Sequence, residues 1–253
     1  MSAGSPAIEA VTFDFWDTLV RSNDEGTLGA RRAKLITVLA DLGHHVEAGV
    51  LDEAFVDAFS VYTDHWRANR QFTARDGALH VLSLLEIELD AEELEAAIDA
   101  YANAADGIEM RLTDHVADAL HALHDRDIRL GIICDVGMTP SPVLRGWLDR
   151  HGVLALFDHW SFSDEVGWYK PARQIFEHAL DGLGGIDPSR AAHVGDLRRT
   201  DVAGAKAMGM LAVRYRGVND NVDLPPVDDG HPRPEADIVL DDHADLVAAL
   251  GLT

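Results

Sequence analysis

The chain is short of cysteine, of lysine and of long apolar runs, and each shortage excludes something. Its single cysteine, Cys134, cannot form an intrachain disulfide, which fits a reducing compartment. No apolar run approaches the ~20 residues that a membrane helix needs. The N-terminal Met-Ser-Ala-Gly-Ser-Pro lacks the charged and apolar regions of a secretory signal, so the expectation is a soluble cytoplasmic protein. Basic residues are also scarce, 21 against 44 acidic, for a net charge of −23. Nucleic acid and anionic membranes both require a basic footprint, so neither is expected as a partner. The acidity reads as a well-hydrated surface, with adaptation to high salt as the other account. Lys34, Lys170 and Lys206 are the only lysines, so a lysine at a motif position carries more weight than usual.

What the chain does have is enough apolar surface for a core, 47% of 253 residues. That length suits one large α/β domain or a domain carrying a smaller insert. Residues 9–14 read as a buried strand. From about residue 28 the spacing is helical. Leu35, Val38, Leu39 and Leu42 share one face, as do Leu51, Phe55, Phe59, Tyr62 and Trp66. Leu79, Leu82 and Leu85 suggest a third helix, and Leu94, Ala97, Ile98 and Tyr101 a fourth, with Asp90 as its N-cap. These stripes are expected to be core, the aromatics included.

After Gly107 strands alternate with helices. Helices are expected near 114–125, 141–151, 171–183, 200–208 and 243–250, and strands at 128–134, 157–162, 191–194, 211–214 and 237–240. Repeated βα units of this kind build a parallel sheet with helices on both faces. The predicted fold is therefore α/β, a Rossmann-like core of residues 1–22 and 108–253, with 23–107 as a helical insertion. Residues 219–236, rich in Asn, Asp, Pro and Gly, read as a surface loop.

Chemistry-bearing residues gather at the expected strand ends. They lie in Asp14-Phe-Trp-Asp-Thr, in Gly-Ile-Ile-Cys134-Asp135, in Glu165-Val-Gly-Trp-Tyr-Lys170-Pro171 and in His193-Val-Gly195-Asp196-Leu-Arg-Arg-Thr-Asp201. Open α/β sheets bind ligands at the carboxyl ends of their strands. A carboxylate there can act as a nucleophile and form a covalent intermediate. When it attacks an anionic phosphoryl group, a metal ion and a lysine relieve the like-charge repulsion. Oxygen donors from carboxylates, a carbonyl and water suit Mg²⁺.

In this order and context the segments resemble the haloacid dehalogenase-like (HAD) superfamily of hydrolases. The resemblance runs over the whole core, including Phe157-Asp158 and Val202–Met210, and the insertion resembles the family's mobile, substrate-selecting cap. It implies Asp14 as nucleophile, with Lys170 holding it and the transferring group. It implies Mg²⁺ bound by Asp14, Asp196, Asp201 and the backbone carbonyl of Trp16. Thr18 would support the loop and, with Cys134 and Asp135, line the substrate, a phosphorylated small molecule. His193 falls in a buried strand pattern and is read as structural. His44-His45 is read as a helix end, and Arg67, Arg70 and Arg75 as solvated surface.

The chain departs from the family at Trp16, where phosphatases carry an Asp that protonates the leaving group. An indole offers one weakly acidic N–H and no basic site. Asp17, next door, is expected to point elsewhere. Cys134 replaces a hydroxyl donor with a weak thiol. Three classes stay open: a Mg²⁺-dependent phosphohydrolase, a dehalogenase-like hydrolase whose halide leaves without an acid, and a non-catalytic binding relative. Carboxylates at 196 and 201 beside an anionic nucleophile favour the first, because they blunt it unless a cation is bound. Monomer and homodimer are equally open.

Overall fold

The computed structural model describes residues 7–220, 230 and 232–252. The chain packs as two compact units. One comprises Met1–Ser22, Met110–Asp135 and Leu148–Thr253; the other comprises Asn23–Glu109 and Val136–Trp147. Residues 136–147, which the sequence reading put with the sheet, therefore pack in the second, helical unit.

The first unit is a six-stranded parallel sheet. Its strands are β1 (Ala10–Phe13), β2 (Arg129–Cys134), β3 (His159–Phe162), β4 (Ala191–Gly195), β5 (Leu211–Tyr215) and β6 (Ile238–Leu240), in the order β3-β2-β1-β4-β5-β6. β1 and β4 are buried along their whole length, as central strands covered on both faces should be. The chain lays β2 and β3 on one side of β1, then returns to lay β4, β5 and β6 on the other. The switch point thus falls between β1 and β4, where such sheets open a crevice beyond the strand ends.

Helices α5 (Val116–His124), α7 (Ser163–Val166), α8 (Arg173–Gly182), α9 (Ala203–Met208) and α10 (Leu246–Ala249) also belong to this unit. α8 buries Ile175, Phe176, Ala179 and Leu180 against Ala10, Ile133, Ala191 and Ala212 of the sheet. Burying one phenylalanine side chain there stabilises by about 2 kcal/mol. The sequence pattern gave no sign of α7, which is a single turn. It also placed the start of α8 two positions early. The helix expected at 200–208 opens as a π-helical turn, Arg198–Val202, before α9. The loop expected at 219–236 lies largely outside the described residues.

The helical unit holds α1 (Asp24–Asp41), α2 (Ala48–Arg67), α3 (Ala74–Leu84) and α4 (Ala91–Ala102), and α6 (Ser141–Arg150) begins in it. Asp90 caps α4, accepting from the amides of Glu92 and Glu93 while Glu93 returns a bond to the Asp90 amide. The shared core combines Leu35, Leu39, Leu51, Phe55, Val81, Leu82, Ile98 and Tyr101. Phe55 and Tyr101 stack with centroids 5.6 Å apart.

Five expected core residues are not in it: Leu42, Tyr62 and Trp66 are half-buried, and Phe59 and Leu79 are exposed. Phe59 is 54% exposed and Leu79 is 37% exposed, because Ala54, Ala58 and Ala78 take the buried face instead. α1 ends at Asp41, and the His44 amide closes that end by donating to the Leu39 carbonyl at 2.8 Å. Arg75 is a surface residue paired with Glu95 through two bonds of 2.8 and 2.6 Å.

Candidate active site

Asp14 follows β1 directly, and its amide donates to the Val194 carbonyl at 2.8 Å, which extends the β1–β4 ladder by one residue. Asp14 is thereby fixed against the strand that leads to Asp196. Asp14 is 5% exposed and Lys170 is 1% exposed. Lys170 Nζ donates to Asp14 Oδ1 at 2.5 Å and to Asp201 Oδ1 at 2.6 Å. Its backbone N–H donates to Asp135 Oδ1 at 2.8 Å.

Asp201 is held from four directions. Oδ1 accepts from Lys170 and from His193 Nε2 at 3.0 Å; Oδ2 accepts from the Leu197 amide at 3.1 Å and Thr200 Oγ1 at 3.0 Å. A carboxylate has about four acceptor positions, and donors of the chain occupy them all. Gly195 makes this packing possible, since a Cβ there would fall 2.3 Å from Asp201 Cγ. His193 is thus more than the strand filler expected of it. A carboxylate only accepts, so Nε2 carries the ring proton, and Nδ1 meets Thr12 Oγ1 at 2.9 Å. Nothing in the sequence signalled that bond except the eight-residue spacing from His193 to Asp201.

Asp196 contrasts with Asp201. Its carbonyl accepts from Arg214 Nε at 3.2 Å, but among the described residues its carboxylate has no hydrogen bond or ion pair. Asp14, Asp196 and Asp201 each offer an oxygen, all within 4.8 Å of one another. Three carboxylates therefore face one lysine. Burial pushes the Asp14 carboxyl up to about 7, Lys170 opposes, and Asp201 and Asp135 add to the rise. Burial, then the charges of Asp14 and Asp201, push Asp196 well above the usual range. Burial would raise Asp201 too, but Lys170 and His193 outweigh it and hold it below the usual carboxylate range. Burial works against the Lys170 ammonium, yet Asp14, Asp201 and Asp135 carry its pKa well above normal.

The remaining expected residues divide. Cys134 is free and fully buried at the end of β2, and burial pushes its thiol well up. Thr18 is 0% exposed, and its hydroxyl is buried without a hydrogen-bond partner among the described residues. Its carbonyl is what matters locally, accepting from Thr113 Oγ1 at 2.6 Å and His243 Nε2 at 2.9 Å. Asp17 adopts φ 51°, a left-handed conformation that Asp tolerates. Its two oxygens accept from the Ser22 amide at 2.7 Å and Asn219 Nδ2 at 2.9 Å, so its carboxylate serves the loop. Trp16 is half-buried and meets Phe15 edge to face at 5.2 Å.

A parallel sheet with a lysine-bound carboxylate and an acidic cluster at its switch point is the arrangement of an α/β fold equipped for chemistry at a buried carboxylate. Residues 8–209 match the family model of the haloacid dehalogenase-like hydrolases, and the chain belongs to that family. Among its relatives, the glyceraldehyde 3-phosphate phosphatase of Methanocaldococcus jannaschii is 27% identical over 85% of this chain and 90% of that protein. The 2-haloacid dehalogenase of Pseudomonas syringae pv. Tomato DC3000 superposes with a TM-score of 0.69 at 24% identity, covering 96% of this chain and 98% of that one. The HAD-hydrolase YfnB of Bacillus subtilis, solved bound to magnesium, gives 0.64 at 15% identity, covering 97% and 99%. Among the described residues, no helix is long and apolar enough to cross a membrane.

Proposed function

We propose that the chain is a Mg²⁺-dependent phosphohydrolase acting on a small phosphorylated molecule through an aspartyl-phosphate at Asp14. The observation that carries this reading is the charge balance of the cluster, three carboxylates against Lys170, with the Asp196 carboxylate lacking a hydrogen-bond or ion-pair partner among the described residues. Metal-free displacement of halide by Asp14 would gain nothing from Asp196 and would be hindered by its charge. The named phosphatase relative supports the same choice.

The donors fit magnesium, a hard cation that takes carboxylate, carbonyl and water oxygens. Asp14, Asp196 and the Trp16 carbonyl would hold it. Asp201, expected from sequence as a further ligand, has its acceptor positions filled and is assigned instead as the anchor of Lys170. When bound, the metal offsets the charge that develops on the phosphoryl oxygens.

In this reading an oxygen of Asp14 attacks phosphorus, an O–P bond forms, and the bond to the leaving oxygen breaks with its electron pair. Lys170 steadies Asp14 and the phosphoryl group. Water then attacks the phosphorus and releases inorganic phosphate and the Asp14 carboxylate. Trp16 cannot protonate the leaving oxygen, so good leaving groups react faster than alkyl esters. The helical unit acts as the substrate-selecting cap.

The test is an assay of aryl and alkyl phosphates, acyl phosphates and 2-haloacids, each with Mg²⁺ or with chelator. Phosphate release that is abolished by chelator and by Asp14→Asn is the expected outcome. Halide release that survives chelator would replace this reading with the dehalogenase one. No turnover of any substrate would favour a binding relative.

A further inference from the structure

Several histidines of the chain face carboxylates: His80 meets Asp57, His115 meets Asp242 and His193 meets Asp201. His159 and His178 instead face each other, and among the described residues neither has an acidic partner. Both belong to the sheet unit. β3 is an edge strand, and strand alternation turns its His159 and Ser161 to the same face. α8 buries Ile175, Phe176, Ala179 and Leu180, which leaves His178 at the margin of that stripe, exposed to solvent beside a half-buried His159.

His159 Nε2 stands 3.2 Å from His178 Nδ1, and the same Nδ1 stands 2.8 Å from Ser161 Oγ. The two ring centroids are 4.9 Å apart and the planes tilt by 46°. These three atoms do not satisfy one another. A ring nitrogen of a neutral imidazole either donates one proton or offers one lone pair. If His178 Nδ1 carries the proton, one proton serves two acceptors; if it does not, one lone pair serves two donors. Charging His159 offers no relief, because burial and the neighbouring His178 lower its pKa. An ion that takes a lone pair from each ring removes the conflict. Two imidazole nitrogens bound tetrahedrally at about 2.05 Å stand about 3.3 Å apart, close to the 3.2 Å found here. Gly182 seats this arrangement, since a Cβ there would fall 2.3 Å from His159 Nδ1 and Cε1. Imidazole donors suit zinc and its neighbours in the first transition row, whereas the oxygen donors at Asp14 suit magnesium.

We propose that His159 Nε2 and His178 Nδ1 bind a divalent transition-metal ion of the zinc type, with Ser161 Oγ as a third donor and water completing the shell. The proposal does not depend on the reaction assigned to Asp14. The stretch between the two histidines contains Lys170, with β3 and α7 before it and α8 after it. A bound ion therefore ties together both ends of the segment that carries Lys170.

The test uses the full chain labelled with ¹⁵N-histidine and titrated with Zn²⁺ in excess Mg²⁺. The expected result is a saturable shift of the His159 Nε2 and His178 Nδ1 resonances that is complete at one equivalent, matched by calorimetric binding. His159→Gln and His178→Gln should each weaken that binding by about tenfold or more, while Asp196→Asn leaves it unchanged. Zn²⁺ that moves neither resonance would overturn the proposal and leave the pair a hydrogen-bonded tie between β3 and α8. Binding that persists in both histidine variants and is lost in Asp196→Asn would also overturn it, by placing the ion at the acidic cluster. The wild-type resonances decide the matter even if a variant fails to fold.

Discussion

In the proposed cycle Asp14 and Lys170 form the centre of the site, and Trp16 sets its limit. Lys170 bridges Asp14 and Asp201 at 2.5 and 2.6 Å, and neither carboxylate is free to turn away while that bridge holds. General acid–base help is worth about 10²–10⁴-fold, and Trp16 supplies none. Trp16→Asp should therefore raise turnover of an alkyl phosphate by about 10²-fold, with little change for an acyl phosphate that leaves without help. Steady-state rates on the two substrates check this, and equal effects on both would assign the proton to another group.

The same residues show how far sequence reaches at this scale. Asp14 and Asp196 follow β1 and β4, as the motif order leads one to expect, and Lys170 joins Asp14 although α7 separates it from β3. Three other features were not legible. His193 carries its proton toward Asp201, Thr18 turns its hydroxyl into the protein, and Asp17 spends its carboxylate on Ser22 and Asn219. Each depends on contacts between distant segments, such as Asp17 with Asn219, which spacing along one chain does not encode.

At the scale of elements, the loop after β1 is clamped by distant groups, and the clamp has a pH signature. His243 donates from Nε2 to the Thr18 carbonyl, stacks 4.0 Å from the Tyr215 ring, and leaves Nδ1 buried without a partner among the described residues. A second proton would have no acceptor, and burial lowers the pKa from 6.5 to about 4. Above pH 6.5 the ring is neutral folded or unfolded, and its full contribution to stability is present. As the pH falls toward 4 the unfolded chain takes up a proton that the fold refuses, and up to about 3 kcal/mol is lost. Denaturant unfolding between pH 7 and pH 4 should show this loss in the wild type and a smaller one in His243→Gln. Equal slopes would contradict the assignment.

The α4 capping box offers a second check. Asp90→Ala should cost about 1 kcal/mol in urea unfolding, and a change near zero would mean the cap contributes nothing. Helices with strong periodicity and caps were readable from sequence, α4 with its Asp90 cap being the clearest. Less regular elements were not. α7 is too short for a period to show, the π-helical turn at Arg198–Val202 breaks the spacing, and the alanine face of α2 concealed that Phe59 points outward.

For the whole molecule, the parallel order β3-β2-β1-β4-β5-β6 places the end of β1 at the switch point and brings Asp196 beside Asp14 from the neighbouring strand. Strand alternation in the sequence implied a parallel sheet, and motif order implied the family that the family model confirms over residues 8–209. The allegiance of residues 136–147 to the helical unit was not readable, because that segment lies between two elements of the sheet pattern. A net charge of −23 makes a metal at an acidic cluster easy to recruit and an anionic substrate harder to hold. Raised salt should accordingly lower KM for a phosphate ester while weakening Mg²⁺ activation, as initial rates over a salt series will show. KM that rises with salt would mean local cations, not the net charge, govern substrate approach.

The central claim is that Asp14 carries the phosphoryl group in a metal-dependent cycle. Acid-quenched mass spectrometry of the enzyme during turnover of an acyl phosphate tests it most directly. The account predicts a phosphorylated peptide bearing Asp14 with Mg²⁺, absent with chelator and in Asp14→Asn. Phosphate release with no phosphoryl group on Asp14 at any quench time, and undiminished in Asp14→Asn, would contradict it.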